Sequence, residues 1–343
     1  MMNKQQQRST LLMALVVSLL LIITIESVNI ISVYASPVIT VSTRGHFNTL
    51  TGQENAVHTP PPTAADVLGQ LDQTCPGEIA IYVHGVWSNE QGAMEQVERV
   101  DISLRQRGNN YDVPVVGFSW DSDTRVNPGG FNIAKEIANK NGELLADLIA
   151  DYKSTCPNDV VRLISHSLGS RVILSALQSL HDETQGSIIR SVHLMGAAVD
   201  QEQVSTNDFL CQLNDPPLPC SGEAIESTVQ TNLYNLHNIE DNFLAVYWFY
   251  EGENALGSFG SFGRVPDNYK QYSVLSSIPP IPNADGDPST DCLDSKIRAL
   301  GWSLHGGWGD NHCGYMGFRT LPSSDPLKDG AIENVVRNWR NNP

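Results

Sequence analysis

Residues 160–180 constrain the fold of this 343-residue chain more than any other stretch. A β-branched apolar run, Val160-Val161-Arg162-Leu163-Ile164, is followed by a turn of small residues around Ser167 and then by a helix-period segment from Gly169 to Leu180. A strand that turns directly into a helix leaves the corner residue at the carboxyl edge of a sheet, in strained backbone, with its hydroxyl presented and the next amide free. The corner reads Ser165-His166-Ser167-Leu168-Gly169, with small residues two before and two after Ser167, where strand and helix crowd the chain. Serine stands at the first of these positions, where the usual pattern has glycine. Such a five-residue string is common in loops, so its meaning comes from the strand and helix that flank it.

The alternation continues on both sides. Strand-like segments at 79–83, 113–119, 188–195 and 228–236 are interleaved with helix-like ones near 90–107, 133–152 and 241–250, and a last helix falls around 332–340. This order predicts an α/β fold, a mostly parallel central sheet with helices on both faces and binding groups at the carboxyl ends of the strands. His84-Gly85, Trp120-Asp121, Ser167 and Asp241 all fall at or just past such ends. Residues 36–70 carry Pro60-Pro61-Pro62 and little periodicity, which reads as a linker or surface-hugging lead-in to one domain over 71–343.

A serine hydroxyl is a weak nucleophile at neutral pH and needs a histidine to take its proton and an acid to hold that histidine's tautomer. On a corner of this kind the acid and then the histidine follow the serine along the chain. His181 ends the corner's helix, His193 lies inside a strand and His237 precedes the acid, which leaves His312, in Gly309-Asp310-Asn311-His312-Cys313-Gly314-Tyr315, as first choice and His305 as the alternative. Either also fits a solvated loop histidine. Asp241 follows the strand 228–236 and is the first candidate for the acid; Asp200 is the runner-up and Glu240 the third, and for each the ordinary role is a helix cap or solvated charge. Two backbone amides suffice to hold a developing oxyanion: Leu168, next to the nucleophile, and Val86, after His84-Gly85, with Trp87 as the alternative to Val86. His84-Gly85 also fits an ordinary strand-end turn.

These residues resemble the α/β-hydrolase superfamily, within its broad set of serine esterases and lipases. The resemblance covers about residues 75–343 and rests on Tyr82-Val83-His84-Gly85, Gly117-Phe118-Ser119-Trp120, the corner at 165–169 with Arg171-Val172-Ile173-Leu174 behind it, Met195-Gly196-Ala197-Ala198, and the surroundings of Asp241 and His312. It implies the α/β-hydrolase fold and cleavage of carboxylic esters through an acyl-serine intermediate, with no metal or organic cofactor and with a small-molecule or lipid ester as substrate. It leaves open a serine peptidase of the same fold and a noncatalytic binding or surface protein. The fold usually inserts a cap where residues 202–226 lie, so a small cap is expected there, leaving a comparatively open site suited to short or medium acyl chains. Tyr247-Trp248-Phe249-Tyr250 reads as helix core, with an acyl groove as the alternative.

The net charge of −17 opposes binding to nucleic acid or to anionic membranes. Lys4 and Arg8 precede an apolar run from Leu11 to Ile25, and Val33-Tyr34-Ala35 offers a cleavage site, so residues 1–35 read as a secretory signal, with an uncleaved membrane anchor through 11–33 as the alternative. Export makes the six cysteines a disulfide set. Cys75 and Cys156 each stand four residues before a strand and would meet at the sheet's amino edge if those strands are neighbours; Cys211 pairs with Cys220, and Cys292 with Cys313. No Cys-x-x-Cys or His-Glu-x-x-His spacing supports a zinc site. Residues 283–291 alternate oxygen side chains but have Pro288 where a calcium loop needs glycine, and read as a plain acidic turn. The glycines of 257–263 read as a flexible loop.

Overall fold

The computed structural model describes residues 38–72, 74–107, 113–183, 186–211, 219–275, 312, 314–316 and 331–342. Its centre is a seven-stranded sheet of β1 (Ile39–Ser42), β2 (Glu78–Val83), β3 (Val115–Ser119), β4 (Val160–His166), β5 (Ser191–Met195), β6 (Leu233–His237) and β7 (Tyr269–Ser273). The order is β1-β3-β2-β4-β5-β6-β7, and every pair is parallel. The central strands are buried along almost their whole length, as both faces of a parallel sheet must be when helices cover them. This is the α/β-hydrolase fold that the sequence implied.

Side chains of β2 alternate between two cores, in keeping with the two-residue period of a strand. Ile79, Ile81 and Val83 join Phe118, Leu163 and residues of two helices, α3 (Pro128–Thr155) and α4 (Gly169–Asp182), on one face. Ala80 and Tyr82 join Val97, Val100 and Leu104 of α2 (Glu90–Arg107) and Val335, Val336 and Trp339 of α9 (Ile332–Asn341) on the other. The remaining helices are α1 (Ala64–Leu71), α5 (Asp208–Cys211), α6 (Gly222–Thr228), α7 (Asn242–Glu251) and α8 (Leu256–Phe259). Helix α3 begins five residues before its expected start because Asn127 caps it, accepting from the Gly130 N–H at 2.8 Å, and Pro128 fits the first turn.

Three stretches differ from the sequence reading. Residues 36–70 are more than a linker: Ile39–Ser42 form edge strand β1 against β3, and Ala64–Leu71 form α1, whose Val67 enters the core. A four-residue strand and a two-turn helix are too short for their periodicity to stand out. The stretch expected as a cap ends in α6, whose Ala224 and Ile225 lie in the main core against α4, so that end of it belongs to the body. Strand β7, Tyr-Lys-Gln-Tyr-Ser, is exposed over four of its five residues and lacks the apolar signature that marks the inner strands. Residues 1–35, His305, the acidic turn 283–291 and the pair Cys292 and Cys313 lie outside the described residues.

Cys75 joins Cys156 where the amino ends of β2 and β4 lie side by side, and Cys211 joins Cys220, as expected from sequence. At the same edge Arg162 pairs with Glu78, stacks over Trp339 at 5.3 Å and donates to the Asn342 carbonyl at 3.1 Å, which latches α9 to the sheet. Among the described residues no helix is long and apolar enough to cross a membrane.

The first disulfide spans 81 residues and the second only 9. Loop-closure entropy therefore predicts that replacing Cys75 and Cys156 by serine costs about 4 kcal/mol, against about 2–3 kcal/mol for the shorter loop. Urea unfolding of the two double variants under non-reducing conditions checks this order. Burial also pushes the His193 imidazole down to about 3. An unfolded histidine takes up its proton near 6.5, so between pH 6.5 and 3 the unfolded chain binds more protons and stability falls as pH drops, being complete above 6.5. His193→Gln is expected to flatten this acid slope by up to about 1.4 kcal/mol per pH unit, measured by unfolding at pH 7, 5.5 and 4.5.

Candidate active site

Strand β2 has β3 on one side and β4 on the other, and the chain's direction across the sheet reverses at this pair. A crevice opens outside the carboxyl ends of the strands at such a point. The turns after β2 and β4 meet there: a Cβ on Gly85 would stand 2.8 Å from the Ser167 Cβ. Gly169 is equally constrained, since a Cβ there would lie 2.4 Å from the Val83 carbonyl oxygen. Ser165 fits the first small position and uses its hydroxyl, 2.9 Å from that of Ser170, to satisfy itself in a fully buried place.

Ser167 has φ +54°, the left-handed region that costs a non-glycine residue about 1–3 kcal/mol. Backbone bonds hold it there: its N–H donates to Met195 O at 3.0 Å, and its carbonyl accepts from Ser170 N at 3.1 Å and Ala198 N at 3.2 Å. Of the three non-glycine residues with positive φ among the described residues, a second is Trp87, in the turn after β2, and the third is Asp72, at the end of α1. Two of these strained residues thus lie on the two turns that face each other.

Asp241 and His312, chosen from sequence, are brought together. The Asp241 Oδ2 lies 2.7 Å from His312 Nδ1, and its other oxygen accepts from Phe243 N at 3.1 Å and Leu244 N at 3.0 Å as the N-cap of α7. The cap and the acid are one residue. The His312 main-chain carbonyl accepts from His166 Nε2 at 2.7 Å, Phe243 stacks on the ring at 4.6 Å, and fully buried Tyr315 follows three residues on. Ser167, Asp241 and His312 are 2%, 1% and 1% exposed. Among the described residues, the Ser167 hydroxyl and His312 Nε2 have no hydrogen-bond partner, so they are not bonded to each other.

The runner-up acid is occupied elsewhere: Asp200 accepts from the Tyr247 hydroxyl at 2.8 Å. Glu240 is exposed. Trp87, the alternative oxyanion donor, gives its N–H to Ser122 O at 2.8 Å, whereas the N–H groups of Val86 and Leu168 meet no acceptor among the described residues.

Sequence reasoning missed the groups that hold these parts in place. His84 Nε2 accepts from Trp120 N at 3.1 Å, so its Nδ1 carries the proton and donates to Gly85 O at 2.9 Å. That bond fixes the peptide whose other end is the Val86 N–H. Burial pushes the His84 imidazole down to about 3, so it stays neutral, and the Arg44 guanidinium lies 3.3 Å from its Nε2. Burial likewise pushes His166 well below its ordinary value. Nothing in the sequence around His166 signals a partner 146 residues away.

Among the described residues, two clusters have metal-ligand spacing: His46, Glu54 and His58, and Cys75, Cys156 and Asp159. The cysteines of the second are joined as a disulfide.

Among curated proteins, none matches the chain. Solved structures similar to it include the catalytic core domain of an acetyl xylan esterase from Trichoderma reesei, 10% identical with a TM-score of 0.31 over 70% of this chain and 98% of that one. Aspergillus fumigatus lipase B is 12% identical, with a TM-score of 0.34 over 85% of this chain and 72% of that one. Likenesses this distant carry no information about substrate. A family described as alpha/beta hydrolase of unknown function (DUF900) matches residues 63–234, half of the chain, including His84-Gly85 and the corner at Ser167, and the chain belongs to that family.

Proposed function

We propose that this α/β hydrolase is an exported serine esterase in which Ser167 attacks the ester carbonyl, His312 takes and returns the proton, and Asp241 holds His312. The observation that carries the reading is the 2.7 Å Asp241–His312 pair, buried with a serine held at φ +54° on a strand-to-helix corner. Asp241 accepts the proton on Nδ1, which leaves Nε2 with the lone pair needed to receive the Ser167 proton. As the tetrahedral intermediate forms, its oxygen becomes an anion, and the N–H groups of Val86 and Leu168, which meet no acceptor among the described residues, are the donors to hold it. Collapse expels the alcohol, protonated by His312, and water then repeats the sequence on the acyl-serine.

An apolar acyl group suits the surroundings. Phe243 lies against His312, Trp87 lies 5.9 Å from Phe243, and Phe131 lies 6.0 Å from Trp87, an aromatic wall leading away from the histidine. Export rests on the apolar N-terminal segment and agrees with the two disulfides.

Hydrolysis of p-nitrophenyl esters from acetate to palmitate, by the protein lacking residues 1–35, is the direct test, and Ser167→Ala is expected to abolish it. Turnover surviving in Ser167→Ala removes the nucleophile assignment. If no ester is cleaved, labelling by a fluorophosphonate separates a reactive serine of other specificity from a binding protein. Asp241→Asn is expected to lower kcat by about 10³–10⁴, and Asp200→Asn to leave the serine's reactivity largely intact. His312→Ala should remove turnover and His305→Ala should not; the reverse result moves the base to His305. Gly85→Ala places a methyl against Ser167 beside the Val86 amide, and a kcat loss of about 10²–10³ is expected with KM little changed, read from steady-state kinetics on the best ester.

A further inference from the structure

Outside the serine site, one group of titratable side chains converges on a point. The segment after β1 folds back as a tight hairpin, with Phe47 bridged to Glu54 and Asn55 N donating to His46 O at 2.9 Å. This sets His46 beside Glu54, and His58 lies four residues further on. His46 Nε2 is 3.3 Å and His58 Nε2 2.9 Å from the same Glu54 oxygen, and the two rings lie 3.8 Å apart at a tilt of 41°.

From this convergence of two imidazole nitrogens on one carboxylate oxygen we infer that His46, Glu54 and His58 bind a divalent transition-metal ion of the zinc type. In a tetrahedral site with bonds of about 2.0–2.1 Å, ligand atoms stand about 3.3 Å apart, close to the spacing here. Two imidazoles and a carboxylate favour zinc-type ions over calcium or magnesium, which take oxygen ligands. The His58 ring is oriented for this role: its Nδ1 lies 3.1 Å from Thr59 O, a carbonyl that accepts from it, and this turns Nε2 toward Glu54. The ring of buried His46 has no partner for Nδ1 among the described residues, which leaves Glu54 as the ring's one hydrogen-bonding neighbour among them. Side chains of Glu54 and His58 are 59% and 27% exposed, which leaves room on the solvent side for a water as fourth ligand.

The scaffold is rigid before any ion arrives. Asp121 accepts from Gly45 N and Phe47 N, both at 2.8 Å, and Lys140 donates to Gly52 O at 2.7 Å while lying over the Phe47 ring. Arg44, at the root of the hairpin, donates to Ser88 O at 2.8 Å and reaches His84. An ion here therefore pins the hairpin that braces the turn carrying Val86. The inference stands independently of which bond the enzyme cleaves.

The test is a titration of chelator-stripped protein with Zn²⁺ against a chromophoric zinc indicator, paired with thermal melting in Zn²⁺, in Mg²⁺ or Ca²⁺, and in EDTA. The wild type is expected to bind one zinc equivalent more than His58→Ala or Glu54→Gln, and zinc should raise its Tm by several degrees, a shift missing in both variants. Both substitutions are at partly exposed positions, and circular dichroism confirms their folding. Co²⁺ should give the visible absorption of a tetrahedral nitrogen and oxygen site. Equal zinc uptake by wild type and variants, or a wild-type Tm indifferent to zinc, overturns the site; an equal shift with Mg²⁺ or Ca²⁺ overturns the choice of ion.

Discussion

The backbone of Ser167 cannot relax. It is caught between β4 and α4, with Gly169 packed against the carbonyl of Val83 and Gly85 against its own Cβ, so that a side chain at either position would have to displace its neighbour. Its left-handed φ is maintained by hydrogen bonds to Met195, Ser170 and Ala198, which belong to the next strand end and to the helix itself. The sheet thus supplies the energy that keeps the corner strained, and the corner in turn decides where every other group of the site must lie. Strand β4 is central and both its faces are covered, so its carboxyl end is as fixed as any point in the molecule.

Around this fixed point the polar groups divide by task. Asp241 and His312 pair with each other, while neutral His84 and His166 each spend a ring N–H on a main-chain carbonyl, of Gly85 and of His312 respectively. Burial disfavours the charged form of both supporting imidazoles, which keeps each as a neutral ring, His166 against the His312 main chain and His84 against the Gly85–Val86 peptide. Arg44 and Trp120 extend the support outward to β1 and β3. The site is held by the ends of the first six strands and not by any one loop.

Much of this was legible because the signal was local. Buried parallel strands are apolar runs, so β2 to β5 stand out, and the helices between them carry ordinary amphipathic periods. The corner needs small residues at fixed offsets, which is a pattern of five consecutive letters. The disulfide between Cys75 and Cys156 followed from two strands starting at equal distances from a cysteine. By contrast β1, α1 and β7 are short or edge-exposed, and pairing with neighbours rather than their own composition makes them regular.

What the sequence determined by itself, then, is the class of sheet, the corner, and a ranked choice of acid and histidine. Each depends on steric or hydrophobic requirements acting over a few residues. Tertiary structure decided which candidates meet: it brought His312 to Asp241 across 71 residues and set Asp200 against Tyr247 instead. It also assigned Trp87's amide to Ser122, joined His166 to the His312 main chain, and folded His46, Glu54 and His58 onto one point. Hydrogen bonds and ligand geometries are fixed to tenths of an ångström, while the sequence separation between partners is set only by the path the chain takes through the sheet.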